Sequence, residues 1–268
     1  GHLISSLDGT PSPHGDKKSP QYRALEALSL TSRIWQGPSQ RRMFKHLVVK
    51  SGTRAERLIE GFAATGLQVY VKELVICFPR FDDEVPTLEK IKAANAVSRD
   101  NFLPLLALFP HVRDLSVIKP TFSQPSDSYI TSLQSCASLP NIVRLSVRFN
   151  NRQSDVELLH DILSLTPNVV HLSIWSLSVY KNLEPIQKPP VSLPHLRRLD
   201  LFGGSFASTM VELKLLSPST LAQVTSLEWL DDRSPNTSVR PLLMGPALRK
   251  LHYKSYNSDR DMVAELAS

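Results

Sequence analysis

The stretch Leu165-Thr-Pro-Asn-Val-Val-His-Leu-Ser-Ile174 decides how this chain is read, because the chain keeps rewriting it. Upstream it stands as Leu108-Phe-Pro-His-Val-Arg-Asp-Leu-Ser-Val117 and Leu139-Pro-Asn-Ile-Val-Arg-Leu-Ser-Val147. Downstream it stands as Leu193-Pro-His-Leu-Arg-Arg-Leu-Asp-Leu201 and Pro246-Ala-Leu-Arg-Lys-Leu-His-Tyr253. The common pattern is Pro-x-Φ-x-x-Leu-x-Φ, with Φ apolar. Weaker copies are Val71-Lys-Glu-Leu-Val-Ile76 and Leu227-Glu-Trp-Leu230. The central leucines are read as Leu74, Leu115, Leu145, Leu172, Leu199, Leu230 and Leu251, spaced by about 21 to about 41 residues. Self-similarity on that scale predicts stacked repeats.

Leu-x-Φ is a period of two, so both apolar side chains point to one side of a short strand. One copy is too short to bury its own apolar face, so neighbouring copies must stack. Stacked strands then pair in parallel, and the residues between them return the chain as helix or irregular segment. An ordinary α/β domain with coincidental leucines is the alternative. The pattern resembles an irregular leucine-rich repeat over residues 66–268. That resemblance implies an α/β solenoid over 47–268, with parallel strands on a concave side and helices or loops on a convex side.

The residues before it predict helices. Leu3, Ile4 and Leu7 share one helical face. Arg23 to Gln36 reads as a helix with Leu25, Leu28 and Trp35 inward, broken by Gly37-Pro38. Ser39 to His46 reads as the next helix, and Leu47 to Lys50 as the first strand. The segments Ala27-Leu-Ser-Leu-Thr-Ser-Arg-Ile-Trp35 and Arg41-Arg-Met-Phe-Lys-His-Leu47 resemble an F-box, placed in residues 1–46. The usual Leu-Pro-x-Glu opening is missing, as in a truncated start, and the loop from Asp8 to Gln21 is long. This resemblance implies a substrate receptor of an SCF-type ubiquitin ligase. A Skp-type adaptor would then be held by Leu3, Ile4, Leu7, Leu25, Leu28, Leu30 and Trp35. The alternative function is a leucine-rich-repeat interaction scaffold without a ligase role.

Further along, Arg54 to Thr65 reads as a helix and Leu67 to Phe78 as a strand. Asp82-Asp-Glu84 lacks the spaced ligands of a calcium loop. Ser258 to Ala267 reads as a last helix, with Met262, Val263 and Leu266 inward.

The chain has 268 residues, 41% hydrophobic and 21% charged, a composition that folds. No apolar run reaches the length of a membrane span, and Cys77 and Cys136 make neither a disulfide framework nor a metal spacing. An intracellular protein of the cytoplasm or nucleus is expected. The net charge of +6 and pI near 9.4 lean toward acidic partners. Gly203-Gly204 lacks the Lys-Ser or Lys-Thr of a phosphate loop. The histidines never take the spacing of a zinc helix, and no nucleophile elbow occurs. Neither an enzyme nor a cofactor is expected. A membrane is not an expected partner for want of an apolar span, and neither is nucleic acid, because no basic track carries stacking aromatics.

The register proposes a binding face. Beside the inward leucines, the outward positions include Arg144, His171, Arg198 and Lys250, then Ser146, Ser173, Asp200 and His252. A third row holds Arg148, Trp175, Phe202 and Lys254. Exposed aromatics with arginines are usual interface anchors. Arg144, Arg148, His171, Trp175, Arg198, Phe202, Lys250 and Lys254 are therefore expected to hold a target protein, acidic or phosphorylated.

Overall fold

The computed structural model describes residues 20–31, 33–49, 61–62, 64–77, 105–118, 138–149, 153–176, 187–202, 214–231, 246–255 and 261–265. The chain forms two compact units, residues 1–116 with 126–132, and residues 117–125 with 133–268. Within each unit, strands that are neighbours in sequence are neighbours in the sheet.

The repeated proline has a local role. The N–H of Val112 donates to the carbonyl of Phe109, Ile142 to Leu139, Val169 to Thr166 and Leu196 to Leu193, at 3.1–3.3 Å. Each is a four-residue turn with proline second, where its fixed φ fits and its missing N–H is not needed. The last turn residue drops into the core: Val169 and Leu196 are fully buried. The strand then begins in one recurring way. The carbonyl of Val143 accepts from both Val170 and His171, that of Val170 from Arg197 and Arg198, and that of Arg197 from Thr225 and Ser226.

In the first unit, helices α1 (Pro20–Thr31) and α2 (Arg33–Met43) precede β1 (His46–Val49). A 3-10 turn (Leu67–Tyr70) and β2 (Glu73–Cys77) follow, and β2 pairs in parallel with β1. Leu47, Leu74, Ile76, Leu105 and Phe109 form the core. The Phe62 ring meets Phe44 and Phe109 edge to face. Three expectations change here. The helix break lies before Gly37-Pro38, and α2 runs through both residues. Gly37 has no Cβ for the proline ring to strike, which removes the clash with the preceding residue's side chain, although Pro38 still forfeits one helix hydrogen bond. Leu28 and Trp35 do not face inward: both are exposed. The strand expected from Leu67 starts only at Glu73. Gly66, left-handed at φ 67°, ends the preceding helical turn, and the 3-10 turn intervenes.

β3 (Asp114–Ile118) carries Leu115 and Val117 into the core. In the second unit, β4 (Arg144–Phe149), β5 (His171–Ser176), β6 (Arg198–Phe202), β7 (Ser226–Asp231) and β8 (Lys250–Ser255) pair in parallel, each with the next. Helix α3 (Gln153–Leu165) makes the crossover from β4 to β5. The short α4 (Pro218–Ala222) precedes β7, its first turn capped by the Ser217 hydroxyl. Leu145, Val147, Leu172, Ile174, Leu199, Leu201, Leu227 and Trp229 line the buried underside.

Two readings of register and ending are corrected. Leu227, not Leu230, is the repeat leucine of β7: it pairs with Leu199 and Leu251, while Leu230 lies opposite Phe202 and Lys254. Leu230 is an odd number of residues from Leu227 and so falls on the other side of the pleat. The expected last helix is instead β9 (Asp261–Glu265), antiparallel to β8 with Met262 opposite Tyr253 and Ala264 opposite Leu251. A short isolated helix has a costly nucleus, whereas the open edge of β8 offers ready hydrogen bonds.

The expected solenoid is also overturned. Taken unit by unit, the sheet is an open, uncurled parallel sheet flanked by helices, not a horseshoe. Curling needs a bulky crossover in every repeat, since packed helices sit 8–10 Å apart and strands about 4.8 Å. Among the described residues, α4 is a five-residue helix, and Val191 approaches β6 as an extended segment bridged to Leu216. The sequence pattern encodes a proline turn and a strand, and both serve a flat parallel sheet equally well.

Candidate functional site

The polar face of the second unit's sheet is built by the residues that alternate with the buried leucines. Cross-strand register sets three rows. The first runs Arg144, His171, Arg198, Ser226, Lys250, the second Ser146, Ser173, Asp200, Glu228, His252, and the third Arg148, Trp175, Phe202, Leu230, Lys254. The rows hold five Lys or Arg positions against two carboxylates, so the face is electropositive in composition.

Asp200 is the hub of the middle row. Its side chain is only 4% exposed. It accepts hydrogen bonds from His171 Nε2, from Ser173 Oγ at 2.9 Å and from Arg198 Nε at 2.9 Å. Burial by itself would raise the Asp200 carboxyl. The hydrogen bonds from His171 and Arg198, the field of His171 and the Ser173 bond outweigh it and hold the group below its ordinary range. Arg198 is held in turn, its guanidinium pushed upward first by the Asp200 hydrogen bond. Its outer nitrogen donates to Glu228 Oε2 at 2.8 Å, and His252 Nδ1 lies 3.7 Å from Glu228 Oε1.

Serine, histidine and aspartate, expected from the register on one face, thus also meet there, a contact that spacing in sequence did not reveal. Their geometry is not that of a proton relay. In such a relay the carboxylate holds one ring nitrogen and the nucleophile the other. Here Asp200 and Ser173 both lie on the Nε2 side of His171, and the serine proton goes to Asp200.

The third row holds an aromatic platform. Trp175 stacks on Phe202 with centroids 3.8 Å apart and planes at 24°, and Trp175 remains 37% exposed. Arg148 lies 6.0 Å from the Trp175 ring centre, close enough for a cation–π contact. Its buried Nε has no hydrogen-bond partner among the described residues. These groups stand at the carboxyl ends of parallel strands, where open α/β sheets commonly take ligands.

The expected target residues are therefore brought onto one face, though unequally. Trp175 stacks on Phe202 with Arg148 beside it, while His171 and Arg198 are tied to Asp200. Arg144 and Lys250 are exposed on the first row, and Lys254 takes its register position in the third. Glu228 was missed because β7 was read from Leu230, which put its rows out of step. Reading Leu227-x-Trp229 as the apolar pair would have found it.

Of the expected adaptor contacts, Leu3, Ile4 and Leu7 lie outside the described residues. Leu25 is half-buried, and Leu28, Leu30 and Trp35 are exposed on α1 and α2, Leu30 to 83%. Cys77 is half-buried and Cys136 lies outside the described residues, as does Asp82-Asp-Glu84. Among the described residues no cluster of three or more histidine, cysteine or acidic side chains is arranged to hold a metal, and no helix is long and apolar enough to cross a membrane.

A scan against protein-family models finds no match to the chain. A search of curated proteins finds none either. Together with the uncurled sheet, this overturns the expected F-box and leucine-rich-repeat membership, and the ubiquitin-ligase and repeat-scaffold functions that rested on it. What stands at this site is an open parallel sheet presenting a cationic, partly aromatic face.

Proposed function

We propose that this chain is a binding protein, and that the polar face of β4 to β8 takes an acidic segment of a partner protein. The observation that carries the reading is the platform of Trp175 on Phe202 with Arg148 beside it. A half-exposed tryptophan in a row flanked by cations offers apolar contact and anion recognition together. The surplus of cationic positions favours an acidic partner. The side chains that carry this are Arg144, Arg148, Trp175, Phe202, Lys250 and Lys254, with His171 and Arg198 at the hub. The two cysteines, neither at a disulfide spacing, favour an intracellular setting.

The test is titration of a poly-glutamate peptide at low salt, followed by tryptophan fluorescence. Binding that weakens as salt rises, and that is lost in Arg148→Glu and in Trp175→Ala with melting temperature kept, supports the reading. Equal affinity in both variants overturns it.

A further inference from the structure

We infer that Glu228 is an internal stand-in for a ligand carboxylate, occupying in the free protein the position on Arg198 that an acidic partner takes. The inference rests on the binding face proposed above and names the group that sets its charge preference.

Arg198 has two ends in different surroundings. Its Nε is tied at 2.9 Å to Asp200, whose side chain is 4% exposed. Asp200 is itself fixed by His171 and Ser173, so this end is anchored. The outer end points away from the hub and meets Glu228 at 2.8 Å. There the surroundings are open: the Arg198 side chain is 48% exposed and that of Glu228 29%. Arginine presents a planar fork of donors matched to carboxylate. The Nε–H is thus spent on a fixed internal carboxylate, and an outer nitrogen on a replaceable one.

The energetics favour exchange. An exposed ion pair is worth little, because water and salt compete for both partners. Replacing Glu228 by another carboxylate exchanges like for like at the guanidinium. The arginine stays in place throughout, held by Asp200, so a ligand meets a preorganised donor pair and little ordering cost. Glu228 has somewhere to go, since His252 Nδ1 already stands 3.7 Å from its other oxygen. The exchange site shares one strand with the aromatic pair: Arg198 is on β6 with Phe202, and Glu228, on β7, pairs in register with Asp200. A segment laid on the aromatic pair and running along β6 passes the outer end of Arg198.

The experiment is Glu228→Gln, titrated with poly-glutamate peptide. Glu157→Gln on α3, which changes net charge equally away from the face, is the control. Affinity should rise in Glu228→Gln by up to about five-fold, the size of one exposed ion pair, and beyond any rise in the control. Arg198→Met in the Glu228→Gln background should remove the gain. An unchanged or weakened affinity in Glu228→Gln, with Trp175→Ala still abolishing binding, overturns this inference and leaves the binding face standing. Should the wild-type protein fail to bind the peptide at all, the face reading falls. The inference is then decided by inorganic phosphate, followed through the Arg198 Nε–H resonance. That resonance must move at lower phosphate in Glu228→Gln than in wild type; coincident titrations overturn it.

Discussion

Each unit brings a histidine, a carboxylate and a cation together where strands pair, and the two trios are worth very different amounts. In the first unit Glu73 lies 3.2 Å from His46 Nδ1 and 3.0 Å from Lys45 Nζ, with a third of its side chain exposed. In the second, Asp200 meets His171, Ser173 and Arg198 with almost none of its side chain in water. Both carboxyls are held below their ordinary range against the opposing effect of burial. The chemistry is the same; solvent decides what it contributes. An exposed trio is a surface decoration worth about 0–1 kcal/mol, whereas a buried carboxylate must keep its partners or suffer desolvation unpaired.

The apolar underside sets the scale for this contrast. Leu172→Ala should cost about 2–5 kcal/mol by opening a cavity beneath the sheet, measured by urea unfolding. A loss below about 1 kcal/mol would mean that the underside is loosely packed. Next comes Asp200→Ala, which strands Arg198, His171 and Ser173 and should cost about 1–3 kcal/mol. Glu73→Ala should cost no more than about 1 kcal/mol, and equal losses in the two variants would break the comparison.

Acid sharpens it. A carboxyl lowered by folding contributes stability that is fully present above its unfolded pKa, about 3.9 for aspartate, and lost as pH falls through the folded value. Wild-type melting temperature should therefore fall below about pH 4 more steeply than that of Asp200→Asn. Parallel acid profiles would show that the hub is not what acid titrates. A modest effect on stability is expected at Trp175→Ala, about 0.5–1.5 kcal/mol from the lost stack, with the larger effect falling on peptide binding. A greater loss of stability than in Asp200→Ala would make the platform a structural element.

Much of the fold was legible because it is locally encoded. The proline turns needed only a fixed φ and a dispensable N–H, and the strands needed only a period of two. Leu115, Leu145, Leu172 and Leu199 follow from that pattern and are buried. Leu230 failed because a short run, Leu227-Glu-Trp-Leu230, offers two leucines of opposite parity, and only the neighbouring strands choose between them. β9 failed for a related reason. Met262-Val-Ala264 suits a helix face or a strand, and the free edge of β8 decided. The polar face was legible as rows of residues but not as a network, since sequence does not choose which arginine Asp200 takes; Arg198 is spent on it, while Arg148 Nε has no hydrogen-bond partner among the described residues.

The amino-acid sequence by itself determined the turns, the strands and the alternation that sends leucines below the sheet and polar residues above it. These depend on contacts between residues close along the chain, where proline geometry and side-chain parity leave few choices. Tertiary structure alone decided the uncurled sheet, the register of β7, the conversion of the last segment to β9 and the pairing at Asp200. Each depends on what a neighbouring strand or helix presents, and those neighbours are many residues away.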